Sequence, residues 1–166
     1  MVLVADTSAL VSLAIPADGS PLCLLFDEYD VRVPPAVVDE LQDIAAYEDA
    51  HADAATRVLD RLADTHVRQP NERPDYPLDD GEIAAIALAN ETNADVFCCD
   101  EYAELSTVHA LLSAARLLTT PKTIEAFVLR DVLSPAEARA ALSEMVTERS
   151  WRNNAYVTQF RDRFDE

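Results

Sequence analysis

The sequence predicts an α/β fold: a three-layer α/β/α sandwich around a short parallel sheet, with further helices at the C-terminal end. Three observations carry this. Short apolar runs alternate with stretches of helical periodicity, as in chains that cross over between parallel strands. Two of the runs, Met1-Val-Leu-Val-Ala5 and Asp95-Val-Phe-Cys-Cys99, read as interior strands. Both stop at a carboxylate, Asp6 and Asp100, and the carboxyl ends of parallel strands are where ligands of open α/β sheets gather.

After the first strand, Thr7 and Ser8 offer side-chain oxygens to cap a helix carrying Leu10, Val11, Leu13 and Ala14. Pro16-Ala-Asp-Gly-Ser-Pro21 is a turn, followed by a short helix over 22–29 and a short strand over 31–33. Pro34 and Pro35 break the chain and pre-organise the start of a helix over 36–45. At about 100° per residue, Tyr47, Ile44, Val37, Leu41 and Val38 form one apolar arc, and Glu40 falls inside it. An unpaired carboxylate on a buried face is costly, so Glu40 stands out.

A second helical pattern over 52–63 carries Val58, Leu59 and Leu62, with Arg57 and Arg61 expected to pair with Asp53, Asp60 and Asp64. Residues 69–77 form a proline-rich loop over the sheet edge. Asp79 with Glu82 three residues later is a capping box, and Ile83 to Ala89 are all apolar. Glu82 is therefore a carboxylate at the tip of a core helix. Residues 116–120 predict a further strand, and Pro121 opens a helix through Ile124, Phe127 and Val128. Ser134-Pro-Ala-Glu137 caps another helix, and Asn153-Asn154 starts a last amphipathic segment ending at Phe164. The chain reads as one domain, residues 1–130 its core and 131–166 a helical extension.

Composition narrows the class. Nearly half of the 166 residues are apolar (49%), which excludes disorder throughout. No uncharged apolar run approaches the roughly 20 residues of a membrane span, and no basic n-region precedes Asp6, which predicts a cytoplasmic protein. Three cysteines without metal-ligand spacing fit a reducing compartment. Thirteen Lys plus Arg against 31 Asp plus Glu leave a net charge of −18, and Lys122 is the only lysine. Acids spread over the whole chain predict a surface adapted to high salt, where the Debye length falls to about 3 Å at 1 M. On that reading net charge does not exclude a nucleic-acid substrate.

Four acids thus occupy places that packing does not explain: Asp6, Glu40, Glu82 and Asp100. Brought together they repel and cannot all ionise without compensating charge. A divalent cation supplies it, and an all-oxygen set without His or Cys suits Mg²⁺ or Mn²⁺. Such a site activates water and stabilises the oxygens of a phosphodiester under in-line attack. Ser8 would orient Asp6 or a metal-bound water.

Asp6-Thr-Ser-Ala-Leu10, Pro35-Ala-Val-Val-Asp-Glu-Leu41, Asp79-Asp-Gly-Glu-Ile-Ala-Ala-Ile-Ala-Leu-Ala89 and Val96-Phe-Cys-Cys-Asp100 together resemble the ordered motifs of PIN-domain nucleases. The resemblance covers roughly residues 1–130, and the GE-x-x-A-I-x-L-A helix is its most specific piece. It implies a compact α/β sandwich, Mg²⁺- or Mn²⁺-dependent endoribonuclease activity on RNA, and metal-site acids at Asp6, Glu40, Glu82 and Asp100. Ser8, Asp79 and Glu101 would support them. Resemblance to VapC-type toxins implies an inhibitory antitoxin protein and a homodimer as partners, while the lack of a membrane-length apolar run predicts no membrane partner.

The sequence also departs from the family pattern. Glu82 replaces the usual aspartate, and Cys99 replaces the Thr or Ser that commonly precedes the last acid, with the expected loss of a hydroxyl donor. These departures motivate an alternative, a non-catalytic PIN-like module binding RNA or a protein. A phospho-acceptor receiver with Lys122 on the phosphate is disfavoured, because Thr7 and Ser8 stand where it needs a second acid. Arg149, Arg152, Arg161 and Arg163 are candidates for an RNA path, with Glu148, Asp162, Asp165 and Glu166 as alternative ionic partners.

Overall fold

The computed structural model describes residues 1–164. Its centre is a parallel sheet of four strands in the order β2-β1-β3-β4, comprising β1 (Val2–Ala5), β2 (Asp30–Arg32), β3 (Val96–Cys98) and β4 (Arg116–Leu118). Because successive strand residues point to opposite faces, the strands divide two cores. Leu3, Ala5, Val96 and Cys98 join one apolar cluster, while Val4, Phe97 and Cys99 join the other.

The first cluster is completed by α1 (Thr7–Ala14), α2 (Ser20–Glu28), α3 (Pro35–Ala45), α4 (Ala50–Arg61) and α7 (Thr120–Leu129). The second is closed by α5 (Asp80–Glu91) and α6 (Leu105–Leu111). Helices on both faces make the three-layer sandwich that the alternating pattern predicts. The C-terminal helices, α8 (Pro135–Glu148) and α9 (Ala155–Phe164), pack on α7 and extend the first layer. Buried Glu125 of α7 ties that layer together, accepting from Lys122 at 2.7 Å and from Arg163 of α9 at 2.5 Å. Among the described residues no helix is long and apolar enough to cross a membrane.

Several local expectations are corrected. Asp6, not Thr7 or Ser8, caps α1, its Oδ1 accepting the Ala9 N–H at 3.0 Å. A carboxylate accepts this bond as well as a hydroxyl does and adds charge at a helix N-terminus. Tyr47 does not complete the buried arc of α3, because the helix ends at Ala45 and the ring is 72% exposed. Arg57 and Arg61 reach off their own helix, Arg57 to the Ala14 carbonyl at 2.7 Å and Arg61 to Asp27 at 3.0 Å. The fourth strand stops at Leu118, and Thr119 and Thr120 turn into the start of α7. Asp165 and Glu166, named as ionic partners, lie outside the described residues.

Candidate metal centre

Register places the two strand-end acids side by side. Ala5 of β1 stands opposite Cys98 of β3, and the Asp6 N–H donates to the Cys98 carbonyl at 3.0 Å. Asp6 and Asp100 are both buried, 3% and 5% exposed. Ser8, in the first turn of α1, connects them. Its hydroxyl donates to the Asp6 carboxylate, 2.8 and 2.9 Å from its two oxygens, and accepts the Asp100 N–H at 3.0 Å.

The environment of each aspartate is short of positive charge. Burial raises the Asp6 pKa to about 7, against the lowering pull of the Ala9 amide, the Cys99 thiol and Ser8, with the Asp100 charge adding to the rise. Burial likewise raises Asp100, opposed by the Thr120 amide, which donates to Oδ1 at 2.7 Å. Its other oxygen, Oδ2, is buried without a hydrogen-bond partner. Among the described residues neither aspartate forms an ion pair.

Cys99 lies beside Asp6, its thiol lowering the Asp6 pKa, and its sulfur accepts the Glu101 N–H at 3.4 Å. Burial and the neighbouring Asp6 charge push the thiol pKa upward, keeping it protonated and able to donate.

Glu40 and Glu82 arrive from the helices and are held separately. Glu40 is half-buried on α3, where Thr7 Oγ1 donates to its Oε2 and the Gly81 backbone lies close against its carboxylate. It is therefore not the unpaired carboxylate that its place in the apolar arc suggested. Burial raises its pKa, and the Asp79 and Glu101 charges raise it further. Glu82, 7% exposed, completes the capping box of α5. Its amide donates to Asp79 Oδ1 at 2.8 Å, and its Oε2 accepts the Asp79 N–H at 3.2 Å. Burial raises the Glu82 pKa to about 7, with the Asp79, Glu101 and Glu104 charges contributing.

Asp6 and Asp100 are thus joined through Ser8, whereas Glu40 is engaged by Thr7 and Gly81, and Glu82 by Asp79. Among the described residues no three His, Cys, Asp or Glu side chains form a ready-made metal-binding group. The donor chemistry still suits a hard divalent cation: oxygens only, a buried Asp100 oxygen without a partner at hydrogen-bonding geometry, and acids whose pKa values burial raises. Beside this site lies a cleft of about 340 Å³ lined by Thr7, Ser8, Glu40, Glu101 and Arg149. Burial raises the Glu101 pKa against the pull of the Arg149 charge, which also opposes the rise at Asp100, and the guanidinium lies 5.9 Å over the Trp151 ring.

Three contributors escaped the sequence reading. Gly81 lets Glu40 approach the first turn of α5. Thr7 is a donor to Glu40 rather than a cap, and Thr120 presents its amide to Asp100 across the strand–helix turn. Gly81 alone carried a signal, as one of only two glycines and the one inside a helix start. Lys122, the candidate phosphate ligand, pairs with Glu125.

No curated protein and no solved structure matches the chain. A family model described as a PIN domain matches residues 2–166. That match spans the sheet, the acid-bearing strand ends and the C-terminal helices alike, and on this evidence the chain belongs to the PIN domain family.

Proposed function

We propose that this chain is a Mg²⁺- or Mn²⁺-dependent endoribonuclease that hydrolyses RNA phosphodiester bonds. The observation that carries the reading is the Asp6–Ser8–Asp100 unit, two buried aspartates at adjacent parallel strand ends, tied through one hydroxyl. PIN domain membership supports nuclease chemistry on such a unit. A divalent ion held by Asp6 and Asp100, with Glu40 and Glu82 as further donors, would activate water and stabilise the oxygens of the phosphodiester.

The protein's own groups prepare the site. Ser8 and the Ala9 amide restrain the Asp6 carboxylate, with the Cys99 thiol beside it. The Thr120 amide holds Asp100 Oδ1, and Oδ2 has no partner at hydrogen-bonding geometry. Arg149 brings a guanidinium to the adjoining cleft, where it can receive an RNA phosphate. Ser8 and Asp79 hold the acids through hydrogen bonds, and Glu101 is a further carboxylate that a bound cation could use.

A second reading, a PIN-like module that binds without cleaving, is favoured by one observation: Glu40 and Glu82 are engaged elsewhere and no metal-binding group is ready-made among the described residues. Calorimetric titration with Mn²⁺ separates the two. The nuclease reading expects binding that Asp100→Asn weakens, and no binding at any salt concentration favours the module. Resemblance to VapC-type toxins extends the proposal to an RNA-cleaving toxin that dimerises and is neutralised by a small antitoxin. Co-expression with the product of a short adjoining reading frame tests this, and growth arrest indifferent to that product would count against it.

A further inference from the structure

A pocket of about 720 Å³ opens beside Asp100, between α6, the β4–α7 turn and the start of α9. Tyr102 forms the wall between pocket and site, its hydroxyl 3.4 Å from Asp100 Oδ1. The C-terminal extension builds the opposite side. Tyr156 lies against Tyr102 with ring centroids 5.7 Å apart, and Trp151 meets the same ring edge-on at 5.6 Å.

The chemistry of the lining is unlike the rest of the molecule. In a chain of net charge −18, no carboxylate lines this pocket among the described residues. Lys122, the only lysine, faces it alongside His109 and the side-chain amides of Asn153 and Asn154. Lys122 gives one contact to Glu125, which leaves ammonium protons for a second acceptor. Thr119, 3% exposed, also lines the pocket, and its hydroxyl is buried near that of Tyr102 without a partner at hydrogen-bonding geometry. An unsatisfied buried hydroxyl is costly unless a ligand completes it.

An anionic group with an aromatic ring satisfies all of these features: a phosphate for the cation and hydroxyl, and a base for the tyrosines and amides. Resting on the endoribonuclease reading, we infer that this pocket binds one nucleotide of single-stranded RNA next to the scissile bond. The loop after α8 and the start of α9 are thereby part of the substrate site.

The test is fluorescence-anisotropy binding of a labelled single-stranded oligoribonucleotide to the full chain in EDTA, which separates binding from cleavage. Ser106→Trp fills the pocket mouth from the exposed face of α6, and Thr119→Val removes the lone hydroxyl almost isosterically. Ala110→Trp, on the same helix but outside the pocket, controls for bulk. The expected result is about tenfold or greater weakening by Ser106→Trp, a smaller loss with Thr119→Val, and none with Ala110→Trp. Circular dichroism checks folding, and Thr119→Val carries the test should Ser106→Trp not fold.

Binding indifferent to both pocket variants overturns the inference, as does a wild type that captures uridine or adenosine monophosphate but not the oligonucleotide. Loss of binding in the variants, with no cleavage by the wild type in Mn²⁺, removes the nuclease reading and keeps the pocket. Wild-type cleavage with unaffected variant binding does the reverse.

Discussion

A Cβ built on Gly81 would lie 2.7 Å from Oε2 of Glu40, so the carboxylate fills the space of any larger residue there. The obstruction is the end of a flexible side chain, not backbone. Gly81→Ala should therefore fold, with alanine's advantage over glycine in a helix, about 1 kcal/mol, offsetting the displacement. Urea unfolding is expected to show equal or higher stability. RNA cleavage should drop roughly 10–100-fold, as for loss of a ligand-orienting contact. A fall in stability with unchanged cleavage would assign Gly81 to packing instead.

Ser8→Ala removes the donor to Asp6 and leaves the buried Asp100 amide without its acceptor. The expected cost is about 1–3 kcal/mol in urea unfolding, since the unpaired N–H keeps its full desolvation penalty. Cleavage should fall further than in a surface control of equal stability.

Cys99 distinguishes a donor from a mere apolar filler. Cys99→Ser keeps a donor beside Asp6 and is expected to retain RNA cleavage, whereas Cys99→Ala removes it and should reduce cleavage. Parallel assays of both variants check this, and equal activities would show that the thiol matters only for packing.

Stability of the metal-free protein should depend on pH in a defined direction. Asp6 and Glu82 have folded pKa values of about 7 against ordinary values of 3.8 and 4.5. The folded state therefore holds more protons between about pH 4 and 7, so stability is fullest below the unfolded values and falls as pH rises through the folded ones. In EDTA, Tm should be higher at pH 5 than at pH 8, and Mn²⁺ should recover stability at pH 8. Asp6→Asn should flatten the profile, and an unaltered profile would exclude Asp6 as its source.

Net charge of −18 leads to a salt prediction. Raising KCl from about 0.1 M to 2 M should increase Tm, because repulsion among exposed acids is screened over ever shorter distances. Thermal scans across that range check it. A flat response would argue against adaptation to high salt.

The parts of the fold visible in sequence were those governed by local rules. β1 and β3 announced themselves as apolar runs ending in acids, and the Asp79–Glu82 and Ser134–Glu137 boxes marked helix starts. Asp6 and Asp100 were legible because a strand end is a chain-local feature. The contacts of Glu40 were not, since they depend on Thr7 and Gly81, brought in from 33 and 41 positions away by the crossing of α1 and α5 over α3. Tyr47 was misread because helical periodicity does not reveal that α3 ends two residues earlier. The pocket at Tyr102 was hidden altogether, as its walls come from three separate stretches of chain.

The most direct test of the account is cleavage of single-stranded RNA in Mn²⁺ at high salt by the wild type, Asp6→Asn and Asp100→Asn, with folding verified for each. The expected result is internal cleavage by the wild type that EDTA stops and that both substitutions abolish. Cleavage that survives both substitutions would contradict it.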